Sequence, residues 1–217
     1  MSKTIIASWI IKHRVISIIL SLLLFLGLTQ GVTKLTFNPD METFFPESHP
    51  ATSLNKDINE TFLPTDNMVI AINGRGESIF KKETLNLIEE LTKRAWATPF
   101  SIRVDSLTNY SYVKSVEDDL IVGPFVENAL SLSEEIIKEK EKLVEEEEAI
   151  YGFLISEDKQ TTIISIVIDP PQPNKEANLI TTVEFILEFL DEAKLDYPQL
   201  DIRLTGNPYQ EYISPKM

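Results

Sequence analysis

The side chains that carry most enzyme chemistry are scarce in this chain. It has no cysteine and two histidines, His13 and His49. No disulfide, thiolate nucleophile or cysteine-ligated zinc can form. A Ser-His triad or a His-rich metal site is disfavoured, and Ser133 and Ser165 have no base in a recognisable motif. Carboxylates are plentiful, but their settings are structural. Glu145 to Glu148 form a run that reads as the solvated face of a helix. Asp118-Asp119 and Glu157-Asp158 sit beside turn signals, where acidic residues are favoured for conformational reasons. Asp40 and Glu42 have no histidine near them in sequence. Gly74 and Gly76 mimic part of a phosphate loop, but its lysine and full spacing are missing, so residues 73–76 read as a turn. The sequence offers no catalytic set, no metal site and no cofactor site, and the expectation is a protein that is not an enzyme.

The charge distribution points elsewhere. The 217 residues include 34 acidic and 20 basic side chains, a net charge of −14. A phosphate-binding protein normally shows a basic face, so nucleic acid is not an expected partner. Lys3, Lys12, Arg14 and Lys34 precede the first acidic residue, Asp40, which leaves the remainder of the chain at −18. A basic, apolar start joined to an acidic body suggests a membrane anchor carrying an extramembrane domain.

Residues 15–33 read VISIILSLLLFLGLTQGVT, without a charge. At ~1.5 Å per residue they span about 28 Å as a helix, against a hydrocarbon core of about 30 Å. Arg14 and Lys34 bracket the segment, and the basic side chains before it place the N-terminus inside. Trp9, among Ile5, Ile6, Ile10 and Ile11, suits a short helix at the headgroups. A cleaved signal peptide is the competing reading. The apolar run is long for one, and no A-x-A site follows. The expected location is the cytoplasmic (inner) membrane, with residues 35–217 extracytoplasmic or periplasmic.

The rest organises by periodicity and breakers. Residues 1–14 form the cytoplasmic or interfacial start, 15–33 the transmembrane helix, and 34–64 a proline-rich connector with a short helix at 51–63. Residues 65–126 form a first βαβ-type unit, whose helix at 80–97 turns Leu85, Ile88, Leu91 and Ala95 to one side. Pro99 ends that helix, a strand follows at 101–107, and residues 112–126 read as a hairpin-like extended stretch. A long amphipathic helix is expected at 127–150, with Leu130, Ile137 and Val144 one heptad apart. Residues 151–206 form a second βαβ-type unit, with extended runs at 151–156 and 160–168. Its helix at 177–195 turns Leu179, Val183, Ile186, Leu187 and Leu190 inward. Residues 207–217 begin a lead-in to a further segment. The expected class is α+β: one transmembrane helix, then two ferredoxin-like βαβ-type units with mixed sheets and helices on one face. Asn59-Glu60-Thr61 and Asn109-Tyr110-Ser111 match the glycosylation pattern.

Three stretches, in order, carry a family resemblance. The first is Phe37-Asn38-Pro39-Asp40-Met41-Glu42-Thr43-Phe44-Phe45-Pro46, with Pro50 beyond. The second is Ser106-Leu107-Thr108-Asn109, followed by Val122-Gly123-Pro124. The third is Leu204-Thr205-Gly206-Asn207-Pro208. Their order and spacing resemble the resistance-nodulation-division exporters, in the branch of the mycobacterial large membrane proteins and hydrophobe or amphiphile efflux. The resemblance runs from Ile5 to Met217. It implies a proton-driven secondary transporter whose halves each hold one helix, a large extracytoplasmic porter loop and a helix bundle. This chain would supply the first helix and the first porter loop. The proton-relay carboxylates of that family lie in later membrane helices, so none is assigned here.

On this reading the partners are a hydrophobic or amphiphilic substrate, the lipid bilayer and the remaining transporter halves or subunits. Apolar clefts are the default sites for such substrates, and Phe44, Phe45, Phe62 and Phe100 are candidate lining residues. Residues 37–50 are the candidate coupling or entrance element. Two alternatives stay open: a single-pass anchored extracytoplasmic sensor or binding domain, and an envelope scaffold.

Overall fold

The computed structural model describes Trp9, residues 11–32, Pro50, Leu54, and residues 67–116, 119–171 and 173–214. The chain divides into two units, Met1–Thr43 and Phe44–Met217.

The first unit contains one long helix, α1, Arg14–Val32. A run of Ile and Leu without an internal proline favours helix, in which the backbone donors past the first turn are satisfied within the segment. Helical backbone bonds begin earlier, with the N–H of His13 donating to the Trp9 carbonyl. The side chains from Val15 to Thr29 are exposed on all sides except at Ser17, so the helix has no polar face. Among the described residues, no helix is long and apolar enough to cross a membrane.

The second unit is α+β, and among the described residues its strands pair antiparallel. Strand β1, Asn67–Asn73, is followed by α2, Lys82–Trp96, and β2, Ser101–Ser106. A two-stranded ribbon follows, β3, Ser111–Val116, and β4, Asp119–Pro124. Next come a 3-10 turn at Ala129–Ser131, α3, Glu134–Leu143, and a second 3-10 turn at Val144–Glu146. The chain continues through β5, Thr161–Ile168, α4, Lys175–Asp196, β6, Asp201–Gly206, and α5, Asn207–Ile213.

The main sheet has the order β2-β5-β1-β6. Strand β1 pairs antiparallel with both β5 and β6, and β2 pairs antiparallel with β5. Strands β1 and β2 therefore run in the same direction with β5 between them. Likewise β5 and β6 run together with β1 between them. Each strand-helix-strand stretch leaves a gap one strand wide, and the other fills it. This corrects the expectation of two units with mixed sheets: the two stretches share one antiparallel sheet. Hydrophobic periodicity gives strands and helices but does not state which strands are neighbours.

One sheet face makes the core. Register places Met68 beside Ile166, Ile70 beside Ile164 and Leu204, and Val104 beside Ile166. These side chains are buried with Leu85, Ile88 and Leu91 of α2 and Val183, Ile186 and Leu190 of α4. The sequence placed all six of those helix residues inward. Leu187 is only partly buried, and Phe189, one position outside the expected stripe, is buried instead.

The helix expected at 127–150 is broken into three pieces. Asn128 adopts φ 51°, in the left-handed region, and Ser133 then caps α3 by accepting from the N–H of Ile136. At the other end, four consecutive glutamates meet the negative end of the helix dipole and one another, which disfavours continuation. The chain leaves helical geometry at Glu147, at φ −100° and ψ 90°. Ile137 and Val144 of the expected stripe are buried, while Leu130 is 60% exposed. The run at 151–156 forms isolated bridges, Tyr151 to Ile155 and Ile155 to Thr162, rather than a strand.

Candidate functional site

The positions that carry the family resemblance divide between the described core and segments outside it. Phe37, Asp40, Phe44, Phe45, Pro46 and Phe62 lie outside the described residues. Pro50 is helical and exposed. Ser106, Leu107, Thr108, Asn109, Gly206 and Pro208 are all placed, and their surroundings show what each does.

Ser106 to Asn109 build a buried polar knot at the end of β2. The hydroxyls of Thr92 and Ser106 are 2.9 Å apart, those of Ser106 and Thr108 3.0 Å, and those of Thr92 and Thr108 3.1 Å. Thr92 reaches in from α2, where its hydroxyl also donates to the Ile88 carbonyl at 2.6 Å. Asn109 closes the loop locally. Its Oδ1 accepts from the backbone N–H of Ser106 at 2.8 Å, and its Nδ2 donates to the Val104 carbonyl at 2.7 Å. Leu107 is fully buried beside this knot. Buried hydroxyls must find partners, and here they find one another. The arrangement has no base and no open substrate position, so its chemistry is structural. The Asn109 amide is committed to the backbone, which makes it a poor glycosylation acceptor.

Gly206 ends β6 and opens α5. Its φ is 118°, and a Cβ there would lie 2.2 Å from the Asn67 carbonyl oxygen and 2.9 Å from the Met68 Cα. Only glycine lets β6 close against the start of β1. Pro208 follows in the first turn of α5, where its missing N–H is unneeded, and it is buried.

Phe100 is the one candidate lining residue that is described. It occupies the third position of a tight turn in which the Ser101 N–H donates to the Thr98 carbonyl at 3.1 Å. Pro99 precedes it, and Phe100 has φ 62°. That is the type II pattern, whose third position favours glycine. The ring is 36% exposed, beside an adjacent Ile102 at 38%.

An open hollow of about 420 Å³ is lined by Asn86, Glu89, Lys93, Asn128, Leu130 and Ser131. Glu89 anchors it. Its Oε2 accepts the Ala129 N–H at 3.0 Å, and Lys93 pairs with its Oε1 at 3.0 Å. Burial alone would raise this carboxyl, but the Ala129 and Asn128 backbone bonds and the Lys93 charge hold it below its ordinary value. The carboxylate thus fastens the 3-10 turn to α2 and has no proton to exchange near neutral pH.

Elsewhere, the titrating groups pair locally. Tyr110 donates to Glu147 Oε2 at 3.1 Å, and burial together with that carboxylate pushes its hydroxyl pKa up. Asp158 is held low by the Ser156 hydroxyl and the Gln160 N–H, and Asp201 by Arg203. The turn at residues 73–76 is the structural turn expected from sequence. Arg75 donates its N–H to Asn73 Oδ1 at 2.7 Å, and Gly74 donates to the Gln160 carbonyl at 2.8 Å. Among the described residues, no group of three or more acidic or histidine side chains stands close enough to hold a metal ion.

What sequence reasoning missed is Thr92. It lies 14 residues from Ser106 in the chain and reads as an ordinary helix position, although a threonine among Leu91 and Ala95 on a buried face is a detectable anomaly. No protein-family model matches this chain, and no curated protein matches it either.

Proposed function

We propose that this chain is the anchored porter portion of a proton-driven exporter of lipids or other amphiphiles, of the resistance-nodulation-division type. The observation that carries the reading is the coupling of a charge-free helix to an acidic α+β body. Helix α1 has 19 residues, and no charge follows Arg14 within it. The Ser21 and Thr29 hydroxyls donate to the carbonyls of Ile18 and Leu26, both at 2.9 Å, so neither brings an unmet donor into lipid. With Lys3, Lys12 and Arg14 on its N-terminal side, the helix leaves the body outside the cell membrane.

One feature of the body supports the porter role. Its strand order, with each strand-helix-strand stretch split by a strand of the other, is compatible with the split βαβ plan of ferredoxin-like domains. Ser106 to Asn109 and Gly206 hold that plan together.

Topology is the first test. The chain has no cysteine, so single cysteines at Ser2 and Ser156 are clean reporters. A membrane-impermeant maleimide on intact cells should label the cysteine at 156 and reach position 2 only after lysis. Labelling of position 2 alone, or release of the chain by alkaline carbonate, would overturn the anchored reading. Export is read separately in cells of the source organism. Loss of the gene should raise retention of a lipophilic fluorophore such as Nile red, and a protonophore should abolish the difference.

A further inference from the structure

Strands turn alternate side chains to opposite faces, and the core occupies only one face of the main sheet. We propose that the other face packs against the same face of a second copy of this chain, with Arg203 of each copy set against Asp105 of the other. The inference is independent of the transport reading.

Three observations carry it. First, the centre of this face is poorly suited to water. A solvated face of an antiparallel sheet normally carries polar side chains. Here Val69 and Ala71 of β1 and Ile163 and Val167 of β5 occupy the middle, each partly exposed. Second, the charges of the sheet all lie on this face. The four strands contain two arginines and two aspartates, Arg103 and Asp105 in β2 and Asp201 and Arg203 in β6. Val104 and Ile202, which separate them along the chain, are buried on the core side. Each arginine pairs with the aspartate of its own strand at 2.7 Å, yet the two arginine side chains stay 61% and 77% exposed. The face is therefore neutral on a chain of net charge −14, which favours a neutral counterpart over a strongly charged one. An apolar centre inside a polar rim is also the anatomy of an interface.

Third, the charges are placed to pair with themselves. Across the sheet, Asp105, Ser165, Val69 and Thr205 form one row, and Ile163, Ala71 and Arg203 form the next. Arg103 lies beyond the first row and Asp201 beyond the second, so the two ion pairs take opposite corners. A two-fold axis along the strands lays β2 of one copy over β6 of the other. Asp105 then sits one row, ~7 Å along the strand, from Arg203 of the second copy, with the stacked sheets ~10 Å apart. An extended arginine covers that separation, and the symmetry makes the contact twice. A face of about 19 Å by 20 Å is at the low end for a stable interface, so the association is reversible.

The test is sedimentation equilibrium of the full chain in a density-matched detergent. Arg203→Asp alone and Asp105→Arg alone each set like charges against one another at both ends of the interface. Combined in one chain, the two changes restore the pairing between copies. They restore nothing within a copy, because Asp105 and Arg203 lie on the two opposite edge strands. The expected result is a dimer with a Kd on the order of 10 μM. It should weaken about ten-fold or more in each single variant and recover in the double variant. A parent chain that stays monomeric up to about 1 mM would leave the face to a different partner and overturn the proposal. A dimer that neither single variant weakens would be held elsewhere, for instance through α1, and would overturn it too. So would a double variant as weak as the single ones.

Discussion

The hydroxyls of Thr92 and Ser106 meet at 2.9 Å in the core and tie the last turns of α2 to the end of β2. Both residues are buried, at 5% and 0% exposure. Thr92→Val keeps the shape but removes the hydroxyl that Ser106 and Thr108 share. A buried polar group left short of a partner costs about 1–3 kcal/mol. The variant should therefore unfold at lower urea, with an unchanged dependence on denaturant. Thr92→Val combined with Ser106→Ala should cost less than the two single changes added, because the second removes the group that the first orphans. Strict additivity in a double-mutant cycle would sink the idea that these hydroxyls act as one unit.

Gly206 and Gly76 separate two reasons for a glycine. Both have positive φ, 118° and 95°, but a Cβ at Gly76 meets nothing within 4 Å. Gly76→Ala carries conformational strain only, about 1–2 kcal/mol. Gly206→Ala adds a collision with the Asn67 carbonyl, and it sits where Met68 pairs with Gly206. Relief requires β6 to move off β1, so the cost should be larger, more than ~3 kcal/mol. Pulse proteolysis of the two variants side by side ranks them. Equal loss in both would mean that the close approach at Gly206 relaxes freely.

What could be read in the sequence follows from what is local. Leu85, Ile88, Leu91 and Ala95 announce their own burial through spacing, and all four are in the core. Pro99 ends α2 within a few residues of where the sequence places it. The strand order could not be read, because periodicity marks β2 and β5 as strands without saying which of them lies beside β1. The long helix at 127–150 was misread for a related reason. Heptad spacing of Leu130, Ile137 and Val144 scores well for a helix, yet Asn128 in the left-handed region and the glutamate run set its real limits. Ser106 to Asn109 stood out as a motif, but its meaning needed Thr92, which only the fold brings near.

Phe100 sits where the turn prefers glycine, so its ring and its backbone pull in opposite directions. With 36% exposure, much of the ring is covered, and any truncation loses that packing. Comparing Phe100→Ala with Phe100→Gly cancels this loss and leaves the backbone. In ordinary extended or helical positions glycine is the less stable of the two, by roughly 0.5–1 kcal/mol. At φ 62° the order should invert, with the glycine variant ahead by about 1 kcal/mol. Thermal melts of the two proteins settle the sign. An alanine variant as stable as the glycine variant, or more so, would mean that the turn releases its strain once the ring is gone.

Glu89 makes the body sensitive to acid at a defined place. Its side chain is 14% exposed, while Lys93 is 71% exposed, so the ion pair is screened and contributes little. The larger share comes from the carboxylate accepting the Ala129 N–H, a charged hydrogen bond of about 1.5–3 kcal/mol. The folded state holds this carboxyl below its ordinary value of 4.5. A lowered folded pKa means that the stabilisation is complete above the unfolded value. It is lost as pH falls through the folded one. Glu89→Gln should therefore be less stable than the parent at pH 7, by about 1–2 kcal/mol since an amide still bonds Ala129. The gap should close as pH drops from about 5 toward 3, below the ordinary carboxylate range. Urea midpoints of the two proteins across that interval measure it directly. A gap that stays constant, or widens in acid, would show that the Glu89 charge does not hold the 3-10 turn to α2.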